Sequence, residues 1–140
     1  MDNIRTKFFT TQTDNIYRGN VYIVSLPKEK QYFVQSCEEG TRPCVVVSSQ
    51  AGCMSAPVVM VCPITTKLKD LSCNVTVGWS QDGRTSQVLC NQIITVPREA
   101  LQRYKGKISP DDMKKVDKAI KISLGVYDYA SECKHVEGSK

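Results

Sequence analysis

Two valine-rich runs, CVVVSS at 44–49 and PVVMVCPI at 57–64, most constrain what this chain can fold into. Each is too short for a stable helix, dense in β-branched residues, and begins at or just after a proline, which suits the first position of a strand. Val45, Val46 and Val47 therefore read as a buried strand. Arg42 and Pro43 stand directly at its mouth, fixing a permanent positive charge where a loop runs into the core.

The rest of the chain is organised around these runs. Residues 1–15 are polar and aperiodic and read as a flexible arm. IYRGNVYIVSL, from Ile16 to Leu26, alternates apolar and polar residues and predicts a strand with a bend at Gly19. A long charged loop follows, PKEKQYFVQSCEEGT, and loops of that length in compact domains tend to be functional. QAGCMSA, between the two valine runs, reads as a turn-like spacer. CNVTVGW predicts a fourth strand, SQDGR a turn with an Asp-Gly signal, and SQVLCNQIITV a fifth strand stopped by Pro97. PREALQRYKGK reads as a short helix with Pro97 at its first position.

The final helix carries the fullest signature. Ser109 is the N-cap, Pro110 takes the first turn, Asp111 and Asp112 complement the positive end of the dipole, and Gly125 is the stop. Met113, Val116, Ile120 and Leu124 fall on one face of it. These elements predict an α+β domain, mainly β, over residues 16–126: a small barrel-like sheet with short helices and a C-terminal helix, then a polar tail at 127–140.

Composition excludes several classes of function. The net charge of +5 permits a polyanionic partner without demanding one. Neither a signal-peptide core nor a membrane-spanning run is present, so no membrane is engaged and the cytoplasm is the expected location. The seven cysteines are scattered with no C-x-x-C, and the single histidine, His135, lies in the polar tail, which argues against a zinc site. Cys44, Cys62 and Cys90 sit in apolar runs and read as buried thiols. One histidine cannot supply both acid and base, and P-loop, G-x-G-x-x-G and G-x-S-x-G motifs are missing.

Chemistry must then fall to arginine, hydroxyls, amides or carboxylates. Arg42 reads either as a strand cap or as a guanidinium held rigidly enough by Pro43 and the strand to grip a phosphate with planar, paired donors. Thr65 in CPITTKLK reads either as a hydroxyl bonding its own backbone or as a donor beside the positive charges of Lys67 and Lys69. Arg98, Arg103, Lys105 and Lys107 could follow a nucleic-acid backbone or simply be solvated.

The blocks YRGNVY, GTRPCVVVS, APVVMVCPITTK, LCNQIITV and DDMKKVDKAIKISLG, in that order, resemble the MazF/PemK toxin family. The resemblance implies a small SH3-like barrel with a C-terminal helix, working as a homodimer. It implies a type II toxin that cuts single-stranded RNA without metal or other cofactor, leaving 2′,3′-cyclic phosphate and 5′-hydroxyl ends. Arg42 and Thr65 fall on the family's catalytic arginine and threonine. Gln92 and Ser86 match residues beside the RNA, and Glu38 and Lys67 join them as expected RNA contacts. A cognate antitoxin, often acidic, would cover the groove, and DNA would be engaged only through the antitoxin complex.

This chain departs from the family pattern at Cys37, where many relatives carry a glutamate, at Gly19-Asn20 for Gly-Asp, and at Asn91. Its loop from Lys28 to Thr41 is also longer. Two other readings follow from the same fold: a toxin that cleaves nothing and inhibits a protein such as gyrase, as the CcdB toxins do, and a catalytically silent RNA-binding relative.

Overall fold

The structure is a computed structural model and describes residues 15–26 and 40–126. Among these, seven strands and two helices follow in the order β1 (Asn20–Ser25), β2 (Thr41–Val46), α1 (Gln50–Ser55), β3 (Val58–Thr65), β4 (Asn74–Val77), β5 (Ser86–Leu89), β6 (Ile94–Pro97), β7 (Leu101–Lys107) and α2 (Pro110–Leu124). All pairings are antiparallel, in the order β4-β5-β3-β2-β1-β7, with β6 also against β3. The sheet curves without closing, so the expected barrel is an open one. The expected arm up to residue 14, most of the 28–41 loop with Cys37 and Glu38, and the tail with Cys133 and His135 lie outside the described residues.

The valine runs become central strands because one face is covered throughout, and both faces are covered along residues 45–47 and 61–64. Tyr22, Val24, Cys44, Val46, Val59 and Val61 point into one core with Val96 and Leu101. Val21, Val45, Val47, Cys62 and Ile64 point into the other, against Val75, Val88, Cys90 and the helix residues Met113, Val116 and Ala119. A strand buried on both sides needs no polar alternation, which accounts for 45–47 and 61–64, whereas Val58 and Met60 at the start of β3 are apolar yet exposed. Cys44, Cys53, Cys62 and Cys90 are all buried free thiols.

Helix α2 starts and stops where expected: the Ser109 hydroxyl accepts the Asp112 N–H at 3.1 Å, and Gly125 closes the helix at φ 69°. Its buried stripe is Met113, Val116 and Ala119; Ile120 is half-buried and Leu124 exposed, so the expected face is rotated at its C-terminal end. A four-residue step from 116 to 120 overshoots the stripe, and the small Ala119 lets the helix lie close instead.

Three expectations are corrected. QAGCMSA is not a spacer but helix α1, nucleated by Ser49, whose hydroxyl accepts the Gly52 N–H, and anchored by the buried Cys53. PREALQRYKGK is not a helix. Pro97 ends β6, Arg98–Ala100 makes one 3₁₀ turn, and Leu101–Lys107 pairs with β1 as β7. The otherwise bare edge of β1 outweighs a modest helix propensity, an ordinary tertiary override. Gly106, at φ 102°, fits there beside the Trp79 indole, whose N–H donates to the Lys105 carbonyl at 2.8 Å. Finally, SQVLCNQIITV is two strands, β5 and β6, with a break at Cys90–Ile93, both running along β3.

Candidate active site

The site arises where strand β3 changes partners. Its ladder with β2 runs Val61↔Val46, Cys62↔Val45, Pro63↔Cys44 and stops, Pro63 having no N–H to donate. Beyond that point Ile64 and Thr65 pair with Val88 and Gln87 of β5, while Arg42 pairs with Val24 of β1. The two strands part, and the gap between them opens into a cleft of about 610 Å³. Arg42, Thr65 and Lys67 all line it, over a floor that includes the cross-strand neighbours Ile23 and Pro43.

Arg42 and Thr65 are each only 8% exposed. The Arg42 guanidinium donates through Nη1 to the Ile64 carbonyl at 3.3 Å, so the residue that enters the core also bridges the gap the ladder leaves. Thr65 Oγ1 accepts the Lys67 N–H at 3.0 Å. The local turn that the sequence allowed for Thr65 is therefore present, and it is compatible with chemistry. With an acceptor site of the oxygen occupied by Lys67, the hydroxyl proton remains to be donated.

The turn after Thr65 is pinned a second time. Gln87, buried directly opposite Thr65, accepts the Lys69 N–H at 3.0 Å and the Asn74 amide at 3.4 Å, and donates to Thr76 Oγ1 at 3.3 Å. Gln87 was not singled out in the sequence, although a lone amide inside SQVLC, an otherwise apolar strand, is the signal that could have found it.

The far wall of the cleft is the loop between β4 and β5, which contributes Gln81, Asp82 and Arg84. Its tip is tied internally: Gly83 N–H donates to Ser80 Oγ at 2.8 Å, and Arg84 N–H donates to Asp82 Oδ1 at 3.2 Å. The Arg84 side chain meets Asp82 Oδ2 through both Nε, at 2.8 Å, and Nη2, at 2.6 Å. Those bonds hold the Asp82 carboxyl below the usual carboxylate range and raise the guanidinium further. With Arg42, Lys67 and Arg84 against Asp82, the cleft is positive. The sequence showed this segment only as a Asp-Gly turn.

Other expected site residues lie elsewhere. Ser86 is buried at the base of the 78–85 loop, bonding the Arg84 carbonyl at 3.4 Å, and does not line the cleft. Gln92 sits in the turn after β5, its N–H donating to the Leu89 carbonyl at 3.2 Å, and is likewise outside the lining. Arg98 is no backbone-tracking cation: it is 4% exposed and donates to the Cys53 and Ala56 carbonyls, closing the end of α1. A second cleft, of about 880 Å³, lies across β1, β7 and the start of α2. Its Arg18 is committed to Asp117 at 2.6 Å.

Residues 17–124 match the family described as PemK-like, MazF-like toxin of type II toxin-antitoxin system. The chain is 30% identical over 118 residues to Endoribonuclease EndoA of Bacillus subtilis (strain 168), covering 81% of this chain and 98% of that protein. It superposes on an endoribonuclease in complex with its cognate antitoxin, from Mycobacterial species, with a TM-score of 0.66 and 25% identity, over 81% of this chain and 98% of that one. MazE-MazF from Deinococcus radiodurans shares the fold, with a TM-score of 0.59 at 18% identity over 81% of this chain and 97% of that one.

Proposed function

We propose that this chain, which belongs to the PemK-like, MazF-like toxins of type II toxin–antitoxin systems, uses the cleft between β2 and β3 to cut single-stranded RNA. It is an endoribonuclease, like its relatives. The observation that carries the placement of the site is the shared cleft: Arg42 and Thr65, from two strands that have just stopped pairing, face one positive cavity.

RNA brings its own nucleophile. The 2′-hydroxyl oxygen attacks the adjacent phosphorus, the bond from phosphorus to the 5′-oxygen breaks, and the products are a 2′,3′-cyclic phosphate and a 5′-hydroxyl. The proton lost from the 2′-oxygen is balanced by the one gained at the 5′-oxygen. Arg42, fixed by its strand and by the Ile64 carbonyl, binds the scissile phosphate and offsets the charge that builds on it. A guanidinium is rich in donors and has no acceptor, so water relays the proton taken from the 2′-hydroxyl. Thr65 donates its hydroxyl proton to a non-bridging oxygen, and Lys67 adds positive charge on the same wall. Ile23 and Pro43 offer an apolar bed for an unstacked base. The reaction as written asks for no metal, and DNA, lacking the 2′-hydroxyl, is not cut.

The partners follow from the same cleft. A cognate antitoxin with an acidic segment would seal it by charge complementarity, and DNA would be met only through that complex. We expect a homodimer acting in the cytoplasm; no helix among the described residues is long and apolar enough to cross a membrane. The test is cleavage of mixed-sequence single-stranded RNA by the purified protein in excess EDTA, beside Arg42→Ala and Thr65→Ala. Cyclic-phosphate ends that vanish in both variants are the expected result. Intact RNA with the unaltered protein would overturn the reading.

A further inference from the structure

The loop between β4 and β5 has a feature that a passive cleft wall does not need. Arg84 is an exposed side chain, and exposed arginines ordinarily sample many rotamers. Here Asp82 takes both Nε and Nη2 through one oxygen and takes the Arg84 backbone N–H through the other. Side chain and main chain of Arg84 are thus tied to the same carboxylate. Ser80 ties the intervening Gly83, whose φ of 84° lets the loop turn so tightly. The guanidinium is held by one edge, which leaves its Nη1–Nη2 edge turned away from Asp82.

That edge carries two parallel N–H donors at a fixed spacing, on a loop that lines the same cavity as Arg42 and Thr65. Two acceptors on single-stranded RNA match it: the O6/N7 edge of guanine and a phosphate. The carboxylate decides between them. Asp82 beside Arg84 cancels much of the charge that makes an arginine attractive to phosphate, while keeping the directional donors that guanine needs. Phosphate binding is already provided for across the cleft by Arg42 and Lys67.

We propose that Asp82 and Arg84 form a base-reading pair, in which Arg84 recognises a guanine next to the scissile phosphate and Asp82 is the positioning residue that presents it. The proposal rests on the ribonuclease reading of the cleft and adds a specificity determinant to it. Gln81, on the same wall, lies beside the pair and extends the polar surface along it.

The experiment has a cleavage arm and a binding arm, both on the full chain. In the first, a randomised single-stranded RNA pool is cut by the unaltered protein, Arg84→Gln and Asp82→Asn, and the new ends are sequenced. A guanine preference at one position is expected, falling roughly 5- to 150-fold in Arg84→Gln, with a smaller fall in Asp82→Asn. An unaltered protein with no guanine preference, or a preference that survives Arg84→Gln, would overturn the proposal. So would a uniform loss at every motif with a shallower salt dependence, which is the signature of a phosphate contact. In the second arm, uncleavable 2′-O-methyl RNA carrying guanine or 7-deazaguanine is bound. Tighter binding of guanine by the unaltered protein, with the difference lost in Arg84→Gln, is expected; equal binding overturns the base-reading pair. Failure of the ribonuclease reading is separately visible, as no cleavage in the first arm whatever the second arm shows.

Discussion

Arg42 stands level with Thr65 at the place where β2 and β3 cease to pair. Cys44 is opposite Pro63, and since one strand advances as the other retreats, two further steps bring 42 against 65. No backbone ladder joins them there; the Arg42 side chain, bonded to the Ile64 carbonyl, takes its place. A phosphate held between the two would receive donors from both sides at fixed positions. Replacing Thr65 by valine keeps the shape and removes the donor, so the cleavage rate should fall by about 10²–10³, while Thr65→Ser should keep most of it. Arg42→Lys should lose nearly as much as Arg42→Ala, because a point charge cannot reproduce a planar fork. Single-turnover rates on one defined RNA would check this; an active Thr65→Val protein would show that the hydroxyl does not act on the phosphate.

Gln87 is the residue that keeps the Thr65 turn in place, through the Lys69 N–H and the Thr76 hydroxyl. It does not line the cleft, so its effect should fall on kcat rather than on KM. Gln87→Leu is expected to lower kcat about tenfold, the scale of a hydrogen-bonded geometry lost at one remove from the reacting atoms. Gln87→Glu, which keeps the acceptor for Lys69, should restore part of it. A pure rise in KM would place Gln87 in binding instead.

Much of this arrangement was legible in the sequence, for reasons that differ by element. Helix α2 announced itself because Ser109, Pro110, Asp111 and Gly125 act locally, each within a turn of its own backbone. The valine runs were readable because their β-branched density and flanking prolines mark strands, and burial on two faces at 45–47 and 61–64 keeps those stretches apolar. Helix α1 and strand β7 were not, since each is decided by distant partners: Arg98 closing the carbonyls of α1, and the open edge of β1 recruiting 101–107. The cleft was half legible. Arg42 and Thr65 stand at strand ends marked by Pro43 and Pro63, whereas the contribution of Asp82 and Arg84 depends on how the 78–85 loop folds back over β3. Ser86 shares strand β5 with Gln87 and Gln92 sits in the turn that follows it, yet the cleft does not extend to either.

Arg98 separates a structural cation from a nucleic-acid one. Its guanidinium closes the last carbonyls of α1 from a position that solvent barely reaches. Arg98→Ala leaves those buried acceptors unmet, and the expected loss of stability is about 1.5–3 kcal/mol. The salt dependence of RNA binding should stay the same, whereas Lys67→Ala should make it shallower by about one unit of slope. Denaturant midpoints and RNA titrations at two or more salt concentrations measure the two effects independently. A shallower slope for Arg98→Ala would return it to the RNA-contacting set.

Cys90 gives the fold a defined alkaline limit. Burial, followed by the neighbouring Cys73, pushes its thiol up from 9.0 to about 12. Below pH 9 the thiol is protonated in both folded and unfolded chains, and its contribution to stability is fully present. Between pH 9 and about 12 the unfolded chain releases the proton while the folded one keeps it, so each step upward favours unfolding. The slope approaches about 1.4 kcal/mol per pH unit for one thiol. Cys62, raised in the same direction by burial, adds to it. Urea midpoints should therefore hold level up to pH 9 and then decline. Cys90→Ala, less stable at every pH for its lost packing, should decline less steeply; parallel curves for the two proteins would show that the Cys90 thiol is not the group that titrates.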